Sequence, residues 1–253
     1  MEISTADPIW LHPGEQSLPP SGRVQCRELT ACWEFDHEEL RVAINPPPES
    51  EPNWQRWTVE TEGGDISIVP MVPDRSVVFE PLTRFFLLPA QSTRIYIEIP
   101  LNIAFKWNGQ TLVEAPSETL SQTWFGEFDA GEVCYWVAAR AHREAPVSRD
   151  NTVAISPLML SNRSDDTLEV SRICLRTCGL NLYRADGVIW TSETEVIHRG
   201  GDAQSRVDVV DGPPPTLGSA TLLTSRRQPL TRAAVGRTFR SLMEWTISTI
   251  LEE

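Results

Sequence analysis

The chain has 253 residues, 40% of them hydrophobic, so it has material for a sizeable core and does not have the composition of a disordered protein. Its 35 acidic and 22 basic residues leave a formal charge of −13, which disfavours non-specific binding to nucleic acid, whose phosphates need a basic surface. No run of about 18 apolar residues exists to span a membrane as a helix, and the acidic, proline-broken start lacks the pattern of a signal peptide.

Residues 1–22 read as an arm, because Pro8, Pro13, Gly14, Pro19, Pro20 and Gly22 leave little room for a regular element. Residues 24–41 alternate loosely through Leu29, Ala31, Trp33 and Phe35, which predicts a hairpin turning at residues 36–39. A stiff proline-rich loop follows at residues 45–52, then short strands at 54–60 and 66–69 on either side of a Gly63-Gly64 turn.

The stretch at residues 77–107 is the clearest β pattern in the chain. Ile95, Ile97 and Ile99 alternate with Tyr96 and Glu98, the period of a strand with one buried face. Pro89 and Pro100 bound it, with apolar runs at 85–88 and 101–105 on either side. Asn108-Gly109 is a strong signal for a two-residue hairpin, with residues 111–114 as the return strand. The pattern lapses at Pro116, which marks the expected boundary between a first β region (23–116) and a second (117–225).

In the second region, strands are expected at 122–128 and 133–141 around a turn at 129–131. Two more, at 153–160 and 167–176, flank a polar loop. Asp186-Gly187 closes a tight hairpin between 181–184 and 188–191, and strands at 193–198 and 207–210 complete the β part, which ends at 212–215. From Thr231 the pattern changes. Val235, Phe239, Leu242, Met243, Ile247 and Ile250 recur at helical spacing, so residues 226–253 are expected to carry an amphipathic helix. Phe239, Leu242 and Trp245 are its candidate contact residues, either onto the body of the protein or across a homodimer. The fold class expected from residues alone is therefore mainly β: an antiparallel β-sandwich, one large or two of immunoglobulin-like size, with a C-terminal helix.

The runs FFLLPAQSTRIYIEIPLNIAFKW, TWFGEFDAGEVCYWVAAR and LMLSNRSDDTLEVSRICLRTCGLNLYRADGVIW resemble the archaeal and bacterial family called domain of unknown function 432. The signposts are Leu88-Pro89, Ile99-Pro100, Phe125-Gly126, the run from Gly131 to Trp136, and Ser161-Asn162. The resemblance covers residues 77–250. It implies a β-rich fold and brings no activity with it.

Chemistry-bearing motifs are sparse. Five cysteines are an odd number for a disulfide framework and point to a reducing, cytoplasmic setting. Cys174 and Cys178 would lie about 13 Å apart along a strand, too far for one zinc ion. Cys26 and Cys32 meet the same obstacle unless a turn separates them, and Cys134 sits in an alternating strand as a core thiol. None of the four histidines falls near a C-x-x-C pair, so neither a metal nor a cofactor is expected. No nucleophile elbow and no phosphate loop is present. The acids around His37, with Glu127 and Asp129, read as solvated turns.

Nine tryptophans remain, and Trp54, Trp57, Trp107 and Trp124 are the candidate ligand-binding residues. Exposed indoles on a β-sandwich can stack on sugar rings, whereas buried ones simply fill the core. The leading expectation is a non-enzymatic binding or scaffold module. A carbohydrate-binding or carbohydrate-processing sandwich is the alternative, decided by whether those four indoles are exposed.

Overall fold

The computed structural model describes residues 2–3, 21–36, 38–48, 50–59, 66–126, 131–147, 150–200, 205–229 and 234–235. They form a mainly β protein, with strands numbered here along the chain. Among the described residues no helix is long and apolar enough to cross a membrane. The chain divides into two compact units, each assembled from separate segments.

The first unit takes Met1–Met71, Pro100–Thr119 and Asp150–Val153. Its five-stranded sheet runs β1 (Glu2–Ile3), β2 (Ser21–Cys26), β3 (Leu29–Asp36), β4 (Glu39–Ile44) and β5 (Gln55–Thr58) in sequence order. A second sheet places β10 (Asn102–Trp107) between β6 (Ile66–Met71) and β11 (Gln110–Pro116). The Asn108-Gly109 hairpin is present as expected: Trp107 pairs with Gln110, and both turn residues have positive φ, 47° and 80°.

The segment read as one hairpin over residues 24–41 is in fact three strands. An additional turn at Arg27-Glu28 separates β2 from β3, with Arg27 itself at φ 50°. Trp33 is the largest buried side chain here, and its ring lies 6.2 Å from that of Phe105. Opposite it on β2 stands Gly22, where an added Cβ would come within 2.3 Å of the indole. Glycine at this place is a packing requirement.

The second unit takes Val72–Ile99, Leu120–Arg149 and Ala154–Glu253. One of its sheets has the order β12 (Ser121–Phe125), β13 (Glu132–Ala139), β7 (Val77–Pro81), β16 (Ile173–Leu175). A larger one runs β21 (Thr221–Thr224), β17 (Leu182–Ala185), β18 (Val188–Thr191), β14 (Val153–Asn162), β19 (Thr194–His198), β20 (Arg206–Val209), β22 (Ala234–Val235). The isoleucine strand β9 (Ser92–Pro100) joins that sheet through β14. A short ribbon pairs β8 (Phe85–Leu87) with β15 (Leu168–Val170).

Most pairings are antiparallel, but β1 runs parallel to β2, β13 to β7, and β14 to both β18 and β19. Strand β9 also departs from the one-face expectation. Tyr96 is buried with Ile95, Ile97 and Ile99, and packs edge-on against Trp190 at 6.2 Å. The β part continues beyond residue 215, through β21 and β22. Val235, read from its spacing as helical, pairs with Arg206 as a strand residue. The rest of the expected C-terminal helix, including Phe239, Leu242 and Trp245, lies outside the described residues, as do residues 4–20 of the expected arm.

Candidate functional site

The second unit holds a cleft of about 310 Å³ at one end of the β12–β13–β7–β16 sheet. Three pieces of backbone build its rim: residues 73–76 leading into β7, the start of β13 at Glu132, and the turn that follows β16. After Leu175 the chain leaves the sheet and makes a 3₁₀ turn at Thr177–Gly179. Thr177 fixes that turn, since its fully buried hydroxyl donates to the Arg75 carbonyl at 2.6 Å. Gln228 then donates its amide to the Cys178 carbonyl at 3.0 Å, and Arg227 donates to the Val72 carbonyl at 2.6 Å. Val207 and Val209 of β20 supply an apolar wall.

Glu132 and Arg176 form the charged centre. Arg176 Nη1 donates to Glu132 Oε1 at 2.7 Å, and Ser76 Oγ donates to the other carboxylate oxygen at 3.1 Å. Both side chains remain about 40% exposed, so the pair is fixed in orientation yet open to a ligand. Arg75 is exposed, and its guanidinium sits 5.8 Å from the Tyr135 ring centroid. It makes no ion pair among the described residues. Tyr135 donates its hydroxyl to Asp74 at 3.0 Å, which holds the ring under the arginine.

Cys178 also lines the cleft, but burial, the largest influence, holds its thiol above the usual range, with Asp74 and Glu132 adding to that and Arg227 opposing it. A protonated thiol is a poor nucleophile at neutral pH. Fixed charges, amide groups and an apolar wall suit the cleft to recognition by hydrogen bonding and ion pairing.

Beneath Glu132, Cys134 of β13 and Cys174 of β16 meet on the same face, packed with Val78 and Phe125. Their sulfur atoms and a Glu132 carboxylate oxygen all lie within 4.8 Å of one another. Cys174 therefore partners Cys134, 40 positions away, instead of Cys178, whose sulfur lies against the backbone carbonyls of Pro73 and Asp74. Cys26 and Cys32 are separated by the Arg27-Glu28 turn. Cys26 pairs with Leu29 and Cys32 with Arg23, which puts the two thiols on opposite faces of their sheet. Burial, followed by the charge of Asp150, pushes the Cys26 thiol up to about 12.

The four candidate tryptophans are divided between the two units. Trp54, Trp57 and Trp107 are half-buried members of the first unit, with Trp57 paired to the buried Leu40 and Trp107 stacked on Phe35 at 5.6 Å and 27°. Trp124, in the second unit, is 46% exposed on β12. Trp136 on the neighbouring strand is exposed as well, but it pairs with Ser121, an odd number of positions from Trp124, so the two indoles leave opposite faces. The residues of the cleft escape a reading by spacing because they come from segments about 20 to 55 positions apart in the chain, and nothing in the sequence around Cys174 and Cys178 points to Cys134.

No curated protein and no solved structure matches this chain. A family model, that of a protein of unknown function (DUF432), matches residues 14–244. The chain belongs to that family.

Proposed function

We propose that the protein is a non-enzymatic binding module whose second unit takes a small anionic ligand, a carboxylate or phosphate compound, in the Glu132–Arg176 cleft. The observation that carries this reading is the pair of arginines. Arg176 is held in place by Glu132 while staying about 40% exposed, and Arg75 is exposed beside it on the Tyr135 ring. An anion reaching both guanidiniums would gain charge-assisted hydrogen bonds, with Ser76 and Gln228 as further polar partners and Val207, Val209 and Pro229 against any apolar portion. Carbohydrate recognition has less support, since of the four candidate indoles Trp124 is exposed while Trp54, Trp57 and Trp107 are half-buried. In the first unit, the approach of Trp33 to Phe105 across two sheets supports a sandwich. Five free cysteines support a reducing, cytoplasmic setting.

The test is thermal denaturation of the full chain with citrate and with inorganic phosphate. A ligand that binds the folded state alone raises the midpoint with concentration, by about 2.7 kcal/mol of stabilisation at a hundredfold excess over Kd. The rise should disappear in Arg75→Ala and Arg176→Ala variants. A wild-type midpoint indifferent to both anions, or a rise that survives both substitutions, would overturn the reading.

A further inference from the structure

We propose that Cys134, Cys174 and Glu132 form a binding site for a thiophilic divalent metal ion of the zinc class. The site shares Glu132 with the cleft above it but does not depend on the anion reading of that cleft. Two thiolates and a carboxylate are a ligand set that zinc accepts, and the three donor atoms already lie within 4.8 Å of one another. Both cysteines are buried, at 0% and 3% exposure, while Glu132 opens to the cleft and leaves a side from which an ion and a fourth ligand can enter.

Two other roles for paired thiols fit less well. Strand β7 runs between β13 and β16, so the two backbones are two strand spacings apart, roughly 9–10 Å. A disulfide tolerates about 7 Å between Cα atoms. The thiols reach each other only through their side chains, leaning over the intervening strand, an arrangement that accommodates a bridging ion but not a sulfur–sulfur bond. Two inert thiols filling the core would need no carboxylate beside them, whereas here Glu132 is steered into place by both Arg176 and Ser76.

The charges agree with a divalent ion. Two thiolates, Glu132 and Arg176 sum to −2, which a divalent cation neutralises. Binding forms two metal–sulfur bonds and releases two thiol protons to solvent, with no change of oxidation state.

The experiment uses the full chain, reduced, stripped with a chelator, and titrated with cobalt(II) as the probe. One equivalent should bind with a sulfur-to-cobalt charge-transfer band and the release of two protons. Cys134→Ser and Cys174→Ser should each weaken binding by more than about tenfold, as should Glu132→Gln, while Cys32→Ser leaves it unchanged. Circular dichroism establishes that each variant is folded. If either serine variant fails to fold, Glu132→Gln and the proton count on the wild-type chain decide. The proposal is overturned if the folded wild-type chain shows no sulfur–cobalt band, or if that band persists in the Cys134 and Cys174 variants.

Discussion

Asn162 ends β14 with no exposed surface, and every hydrogen-bonding capacity of its side chain is used. Its amide nitrogen donates to the carbonyls of Leu87 at 2.9 Å and Asp166 at 2.7 Å. Its oxygen accepts from the Ser164 amide at 3.0 Å and the Ser164 hydroxyl at 2.7 Å. One side chain thereby ties β14 to β8 and to the loop before β15. Changing Asn162 to Asp preserves shape but replaces the double donor with an acceptor, so the buried Leu87 carbonyl faces a carboxylate, while the Asp166 carbonyl still has the Ser164 hydroxyl at 3.0 Å as a donor. One orphaned buried carbonyl costs about 1–3 kcal/mol, and the variant should lose roughly that much at neutral pH. At a central 2 kcal/mol the melting midpoint falls by roughly 4–8 °C for a protein of this size.

The pH dependence sharpens the test. A protonated carboxyl can return one donor to the site, so the introduced acid should have a folded pKa above its unfolded value of about 3.9. An acid with a raised folded pKa binds more protons folded than unfolded, so stability falls as pH rises between the two values. The deficit relative to wild type should therefore shrink from pH 7 towards pH 4. Circular dichroism melts of both proteins across that range provide the measurement. An Asp variant that melts with wild type at pH 7, or a deficit that widens on acidification, would refute the reasoning.

Three further outcomes are expected. Gly22→Ala should destabilise the first unit by about 1–3 kcal/mol in urea unfolding, because the new methyl meets the buried Trp33 ring; a Trp33→Phe background should relieve part of that loss. Asp150 is subject to burial, which raises its pKa, but hydrogen bonds from Thr152 and the pairing with Arg27 outweigh it and hold the carboxyl below its usual range. Its stabilising contribution should be present at pH 7 and lost as pH falls below about 4, so Asp150→Asn should differ from wild type at neutral pH and converge with it in acid. Finally, a thiol reagent on the native, metal-free chain should modify the half-buried Cys32 and Cys178 first, and reach Cys26, Cys134 and Cys174 only on unfolding. Five equally fast thiols would contradict the burial.

Those parts of the fold whose cause is local are legible in the residues. Asn108-Gly109 and Asp186-Gly187 sit at hairpin tips with positive φ because these residue types tolerate that conformation at little cost. Arg27 adopts a similar φ with no such signature, and the turn it makes passed unread. Its side chain pairs with Glu118 and Asp150, contacts of high sequence separation that no window around residue 27 contains. The segment at 167–176 looked like one strand, yet it breaks between Val170 and Ile173 so that its halves can pair with β8 and β7 separately. Alternation reports which face a residue occupies; it is silent on which strand lies alongside.

That silence is also why the cleft was invisible. An antiparallel expectation for β7 and β13 would place Glu132, at the start of β13, at the far end of the sheet from Ser76, which precedes β7. The observed pairing is parallel, with Tyr135 opposite Val77 and Trp136 opposite Val78. Two strand beginnings therefore coincide at one end of the sheet. Strand β16 runs antiparallel to β7, with Leu175 opposite Val77, so its last residue arrives at that same end and delivers Arg176 there. Glu132, Ser76 and Arg176 meet because of strand direction, and the same directions bring Cys134 and Cys174 together one step into the sheet. Reversing one strand would scatter all five residues while leaving every hydrophobic alternation in the sequence unchanged. The chemistry of this site is a property of the topology, and the residues that carry it are ordinary strand-end and core residues until the chain has folded.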